Sequence, residues 1–328
     1  MSLPERRANP SASRSSAPPT ARAIDLHVDT LSRLIDLGGE RGIARERPDL
    51  QVDLPRAREG GVRALCTACF VRDDDAAPRE RVRAMLAEAE RLDRDPATPA
   101  RIVRSAADLD RLPPGTIGLL PTIENARSLE GDLGSLDEWR ERGVAILGIT
   151  WNGSNELGVG CGGDPELGLT DFGRAAIRRA ATLGMAIDLS HLNRAGFAEA
   201  LALGAPSLAT HSNCRAIHDH RRNLDDAQLR ALAAAGGLIG LVLYPPFLGA
   251  DPVTLASFVA HARHAAEVMG VERVALGTDL DGIERTPEGF RDHRDLPALA
   301  AALRGGGFTA AEVAGILGEN FAGWWRRV

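Results

Sequence analysis

Nowhere does the chain of 328 residues contain the ~18 to 20 unbroken apolar residues that a membrane span requires. It also lacks a basic excess. With 39 Lys and Arg against 45 Asp and Glu, the formal net charge is -6, so no positive field draws nucleic acid or an anionic membrane surface. Four cysteines are too few for a disulfide framework. Cys66 and Cys69 form a CTAC within the apolar run VRALCTACFV. Residues three apart on a strand face opposite sides, so these two read as buried thiols rather than a redox or zinc pair. Cys161 and Cys214 lie in or beside polar loops, where partial exposure is expected and nothing marks a nucleophile. Residues 1–22 hold two adjacent arginines but no apolar core, so they read as a flexible tail and not as a signal peptide. Residues 23–328 are expected to form one catalytic domain, with a cytoplasmic location as the default.

After the tail, apolar runs of strand length alternate with stretches of helical period, the order of a parallel sheet with helical crossovers. Strands are predicted over 23–29, 62–71, 116–124, 144–151, 185–191, 207–212, 237–244 and 274–282. Amphipathic segments over 78–92, 169–184, 225–237 and 251–270 have apolar residues at three- and four-residue spacing, and several open on Asp or Thr and close on Gly. Eight strand–helix units in about 300 residues predict an α/β fold, a (β/α)8 TIM barrel. The rival doubly wound sheet would want a Gly-rich fingerprint after its first strand, where DLHVDTLSRL stands instead. The Gly-rich GVGCGGD at 158–164 leads to no phosphate-cradling helix and is expected to be a flexible loop. No internal repeat is apparent.

In such a barrel the active site forms at the C-terminal ends of the strands. Strand one ends in His27 and Asp29, two positions apart and so on one face. Strand three ends in Glu124, strand five in His191, strand six in His211, and strand eight in Asp279 and Asp281. Any one of these is more often a satisfied structural group, but several strands placing such groups at one rim by accident is improbable. The remaining histidines fall elsewhere: His218 and His220 in a charged loop, His261 and His264 on a helix whose face should be solvated, His293 in a polar connection. Three histidines together with these carboxylates exceed the three protein ligands of a catalytic zinc. They suit two ions sharing a bridging carboxylate and a bridging water. A pair of metals about 3.5 to 4 Å apart can lower the water's pKa and polarise a carbonyl, which is the chemistry of hydrolysis.

The ordered series DLHVDT, PTIEN, LGITWNGSNELG, GLTDFG, IDLSHL, THSNCRAIHDHRRNLDD and GTDLDGI resembles the renal, or membrane, dipeptidase family of binuclear zinc peptidases, from about residue 22 to the closing GENFAGWW. The resemblance implies a barrel of the metal-dependent amidohydrolase group with two Zn2+ per chain, other divalent metals being alternatives. His27 and Asp29 would hold one ion, His191 and His211 the other, and Glu124 would bridge them. Asp279 would take a proton from the bridging hydroxide and deliver it to the leaving amine. Arg222, with Arg221 as the fallback, would hold the dipeptide's free carboxylate. Trp151 stands where animal members have a histidine that contacts the substrate carbonyl. Indole can line a pocket or donate one hydrogen bond but cannot become cationic, which makes Asn152 or Asn155 a candidate donor. After strand seven, LYPPF offers Tyr244 and Phe247 as the substrate-contacting aromatic, and only Tyr244 has a hydroxyl. The implied activity is hydrolysis of unsubstituted dipeptides by a metal-bridging hydroxide, tolerating a D-residue at the C-terminal position. The first rival is another amidohydrolase on the same metal pair, such as an N-acyl amino acid deacylase, lactonase or deaminase; the second is a non-catalytic barrel. The partner is then a small-molecule dipeptide, with no nucleic acid and no membrane. A homodimer is in keeping with the family, although no interface is legible.

Overall fold

Each predicted apolar run contributes a strand, and the strands pair in chain order: β1 (Ala23–Val28), β2 (Val62–Phe70), β3 (Ile117–Glu124), β4 (Ile146–Gly148), β5 (Ala186–Asp188), β6 (Ser207–Leu208), β7 (Ile239–Leu241) and β8 (Val274–Leu276). A computed structural model describes residues 23–38 and 42–328; the expected tail, 1–22, lies outside the described residues. Parallel pairing runs β7–β8–β1–β2–β3–β4–β5–β6. A bridge from Ala209 to Ile239 links the β6 end to β7, so the sheet closes as the (β/α)8 barrel expected. The predicted helices follow as Pro78–Arg94, Asp171–Thr182, Asp226–Ala234 and Leu255–Met269. The side chains of Thr170, Asp225 and Thr254 cap the last three, Asp225 and Gln228 doing so reciprocally. No described helix is long and apolar enough to cross a membrane.

Three short strands beyond the eight were not foreseen: Ala100–Ile102 and the paired Ser154–Asn155 and Gly158–Val159. Ala100–Ile102 pairs with the first half of β3, Ala100 opposite Ile117, while β4 takes the second half, Thr122 opposite Ile146. Three residues are too few to show alternation. Strand pleating divides the apolar residues into two clusters. Leu26, Cys66, Leu120 and Ala275 fill the barrel together with Phe321 and Trp324 of the C-terminal helix, Asn320–Trp325. Cys69, Leu31 and Met85 belong to the outer layer against the helices. Cys66 and Cys69 are both buried thiols on opposite faces, as their spacing predicts. Cys214 departs from expectation: it is fully buried, its backbone N–H donating to His261 Nδ1 at 3.0 Å. His261, expected on a solvated face, is buried for the same reason, its Nε2 lying 3.1 Å from the Leu248 carbonyl.

β5, β6 and β8 stop several residues short of their predicted ends, and a pair of buried carboxylates explains why. Asp188 Oδ1 accepts from the backbone N–H groups of Ser190 and Thr210, each at 3.0 Å. Asp25 Oδ1 does the same for His27 at 3.2 Å and Thr278 at 2.8 Å. Near the rim these side chains replace the ladder, and the chain turns inward. Strands 6, 7 and 8 also approach closely. A Cβ added to Gly240 or Gly277 would lie 2.0 Å or 1.9 Å from the Thr210 carbonyl oxygen. Gly277→Ala must therefore push strands apart, an overpacking cost of about 1–3 kcal/mol. The expected result is a lower urea midpoint with an unchanged slope; an unchanged midpoint would show that the strands do not meet there.

Candidate active site

Glu124 ends β3 inside the barrel mouth, and its two oxygens face different neighbours. Oε2 lies 3.2 Å from His27 Nε2, which is itself 3.6 Å from Asp29 Oδ2. Oε1 lies 2.9 Å from His191 Nε2 and 3.8 Å from His211 Nε2. Two trios result, His27–Asp29–Glu124 and Glu124–His191–His211, with the ligand atoms of each within 4.8 Å of one another. A register shift in β1 between Asp25 and Val28 interrupts strict alternation, so that Leu26 joins the interior cluster while His27 still reaches Glu124. Asp29 stands one residue past β1, at the start of the helix Thr30–Asp36. His191, His211 and Asp279 lie three residues beyond β5, β6 and β8, on the rim turns and not in the strands.

The hydrogen-bond pattern assigns the ring protons. Thr210 Oγ1 donates its proton to Asp188 Oδ2 at 2.5 Å, leaving its lone pairs for His211 Nδ1 at 2.8 Å and His27 Nδ1 at 3.2 Å. His191 Nδ1 faces Asn152 Oδ1 at 3.2 Å, an acceptor. With metal ions on the Nε2 atoms, all three imidazoles would carry their proton on Nδ1, where these acceptors stand ready for it. His191 Nε2 and His211 Nε2 are only 2.8 Å apart. Two lone pairs at that separation beside a carboxylate repel one another unless a cation lies among them. The buried Asp29 Oδ1 has no hydrogen-bond partner. The donor set therefore fits divalent metal ions, with nitrogen and oxygen ligands on each side of one shared carboxylate.

Burial is the largest influence on the ionisable groups of the site. On His191 it acts with Arg222 to push the imidazole down to about 4, and burial with His27 and Arg222 holds His211 well below the usual imidazole range. Burial opposes the charge on His27 as well, but Glu124 and Asp29 outweigh it and raise that imidazole. Burial raises Glu124, and His27 and His191 reverse the shift. Asp29 is raised by burial and by Glu124, Asp279 by burial and by the charge of Asp29 beside it. Three carboxylates crowded in low dielectric are short of positive charge, and a bound dication would favour their ionised forms. Asp279 adopts a left-handed φ of 65°, held by its N–H donating to the His27 carbonyl at 2.9 Å.

A cavity of about 460 Å3 opens above these groups, lined among others by Trp151, Asn152, Arg222, Tyr244 and Phe247. Arg222 is buried, its Nη2 donating to the His211 carbonyl at 3.0 Å and lying 3.2 Å from His191 Nε2. Nη1 donates to the Ser190 carbonyl, and Nε has no partner. Arg221 is exposed at the mouth. Trp151 stands edge-on to Phe70 at 5.1 Å, and Tyr244 edge-on to Phe247 at 4.8 Å. Asn155 does not reach the cavity as a donor, because its amide is spent on Asn125 and the Ile149 carbonyl, each at 2.8 Å. Asp281 is no part of either trio: it accepts from the Thr30 hydroxyl at 2.7 Å and the Gln51 N–H at 2.6 Å, tying that loop to the rim. The Gly-rich 158–164 is a hydrogen-bonded ledge and not a flexible loop. Cys161 N–H donates to the His191 carbonyl and Gly162 N–H to the Asn152 carbonyl, both at 2.8 Å, and a Cβ on Gly160 would meet the Trp151 carbonyl at 2.1 Å. His220, assigned only to a charged loop, lines the cavity against Phe247 at 4.6 Å. His293, taken for part of a polar connection, is fully buried on Asp25 Oδ2 at 2.8 Å. Spacing from a strand end could not have found either.

Comparison with known proteins agrees with this picture. The family model for membrane dipeptidase, peptidase family M19, matches residues 19–328. An uncharacterized Klebsiella pneumoniae protein of the pqqA 5′ region is 34% identical over 70% of this chain and 87% of its own length. An uncharacterized dipeptidase of Schizosaccharomyces pombe is 29% identical over 65% of this chain, which spans only 53% of that protein. Among solved structures, a Rhodobacter sphaeroides metallopeptidase bound to a phosphinate mimic of the dipeptide L-Ala-D-Ala superimposes with a TM-score of 0.87. It is 27% identical, and the match covers 94% of this chain and 99% of that one.

Proposed function

The chain belongs to the membrane dipeptidase family, peptidase family M19, and on that premise we propose that it is a zinc-dependent hydrolase of unsubstituted dipeptides, including those ending in a D-residue. The observation that carries this reading is the divided Glu124 carboxylate, one oxygen facing His27 Nε2 and the other the Nε2 atoms of His191 and His211. His27 and Asp29 would hold one ion, His191 and His211 the other, and Glu124 both. Bound there, two zinc ions supply a hydroxide nucleophile at neutral pH and polarise the scissile carbonyl.

The chain's own groups do the rest. Asp279, beside Asp29 at the metal trio, accepts the nucleophile's proton on its carboxylate and passes it to the leaving amine. Arg222 grips the substrate's free carboxylate from the wall beside His191, in the charge-assisted manner that suits a guanidinium. Trp151 and Tyr244 flank the bound dipeptide. Asn152 orients His191 through its carbonyl oxygen, which leaves its amide N–H groups on the cavity wall to donate to the substrate. The L-Ala-D-Ala mimic held by the Rhodobacter sphaeroides relative supports the tolerance of a D-residue.

The deciding experiment compares L-Ala-L-Ala, L-Ala-D-Ala and N-acetyl-L-alanine before and after metal stripping. Turnover of the free dipeptides, lost on chelation and restored by two equivalents of zinc, is expected. Preferred turnover of the N-acyl compound would make the protein a deacylase, and none at all would end the catalytic reading. For Arg222→Ala, loss of a charge-assisted contact worth about 1.5–3 kcal/mol should raise KM by about one to two orders of magnitude for dipeptides. The same variant should leave kcat/KM for the dipeptide amide unchanged; an equal loss on both substrates would remove the carboxylate role. Asp279→Asn should lose about 10²–10⁴ in kcat while retaining both metals by elemental analysis. Persisting turnover would exclude Asp279 as the proton carrier.

A further inference from the structure

We propose that Thr210, driven by Asp188, is a positioning residue that sets the ring tautomer of both His27 and His211 and so couples the two halves of the metal site. The inference rests on the reading of the rim as a metal centre, and adds to it a residue that touches neither substrate nor ion.

The argument is a count of protons and lone pairs. A threonine hydroxyl has one proton to give and two lone pairs to offer. The proton goes to Asp188 Oδ2 at 2.5 Å. Asp188 has no competing use for it: its other oxygen already accepts from Ser190 N–H at 3.0 Å, Ser190 Oγ at 2.6 Å and Thr210 N–H at 3.0 Å. The hydroxyl is left as an acceptor only, and its two lone pairs face His211 Nδ1 at 2.8 Å and His27 Nδ1 at 3.2 Å. Each ring must put its proton on Nδ1, which bares Nε2 where a metal would bind. His27 and His211 belong to different trios, so one hydroxyl serves both ions. Although Asp188 lies close enough to His27 and His211 to form a third possible cluster, it faces them through Thr210 and acts at one remove.

The threonine is closely enclosed. Its N–H is on Asp188, and its carbonyl oxygen lies against Gly240 and Gly277, where a Cβ would come within 2.0 Å and 1.9 Å. Outer partners of metal-binding histidines typically contribute about 10–100-fold in metal affinity.

The test is zinc competition against a chelator, which yields both stepwise constants, together with ¹⁵N NMR of the His211 ring in stripped protein. Thr210→Val should weaken both constants by about 10- to 100-fold and shift His211 away from the Nδ1–H form, and Thr210→Ser should restore both. Thr67→Val is the control, because the Thr67 hydroxyl is equally buried and has no hydrogen-bond partner; it should change neither. Should Thr210→Val fail to fold, Asp188→Asn asks the same question. Its amide would donate to Thr210, turn the hydroxyl proton toward the rings and weaken both ions likewise. Wild-type constants in Thr210→Val or Asp188→Asn, or a loss confined to one ion, would overturn the inference alone. Wild-type protein that binds no zinc would remove the metal reading and this inference with it.

Discussion

A carboxylate buried to this degree is costly unless cations flank it, and Glu124 is the group on which the mouth of the barrel is organised. β3 runs for eight residues to deliver it, whereas β5, β6 and β8 are cut to two or three. The difference has a purpose. A full-length strand carries Glu124 to the centre, and shortened strands let the following turns bend His191, His211 and Asp279 in around it. Burial holds His191 and His211 toward the neutral form, so bound dications would supply the positive charge that Glu124 and its neighbouring carboxylates lack.

Two copies of one device shape those turns. In each, a strand opening Ala-Ile-Asp, at 23–25 and at 186–188, uses its aspartate to grip the backbone N–H and hydroxyl of a threonine two residues past a neighbouring strand: Thr278 at 2.8 and 2.5 Å, Thr210 at 3.0 and 2.5 Å. The residue after each threonine is a group at the rim, Asp279 or His211. The copies differ in what backs the aspartate, His293 for Asp25 and Ser190 for Asp188. They differ also in what the threonine oxygen then does, since only Thr210 meets imidazoles.

This difference also explains which parts of the site could be read from the sequence. Groups that meet at Glu124 end apolar runs, and a polar residue closing a strand is visible by contrast with what precedes it. Asp25 and Asp188 lie inside such runs, where an acid looks like an interruption, and their partners are brought to them only by strand order around the barrel. Strand limits failed at the same places, because apolar character continues past the point where side chains take over the hydrogen bonding. His261 and His293 escaped for a related reason. Polar sequence neighbours predict exposure, yet each histidine is buried by a backbone or carboxylate partner distant in sequence, Cys214 and Asp25. The glycines of 158–164 suggested mobility, whereas at least Gly160 is glycine because another backbone passes too close for a side chain.

The arrangement of charge around the cavity bears on how an indole can stand at position 151. Acidic groups gather on the β1 and β8 side, where Asp29, Asp279, Asp281 and Glu284 line the opening. Cationic groups gather across it, where Arg222 lies against His191 and His211 with Arg221 nearby. A free dipeptide is a dipole of matching sense, ammonium at one end and carboxylate at the other. In such a field its ends fix its direction, and its peptide bond is drawn across Glu124 whether or not a side chain reaches for the carbonyl. An N-acylated amino acid has only one of those ends and would be held at one wall. On this reading Trp151 has no proton to manage; packed edge-on to Phe70, it closes the side of the cavity and keeps water from screening the charges that orient the substrate.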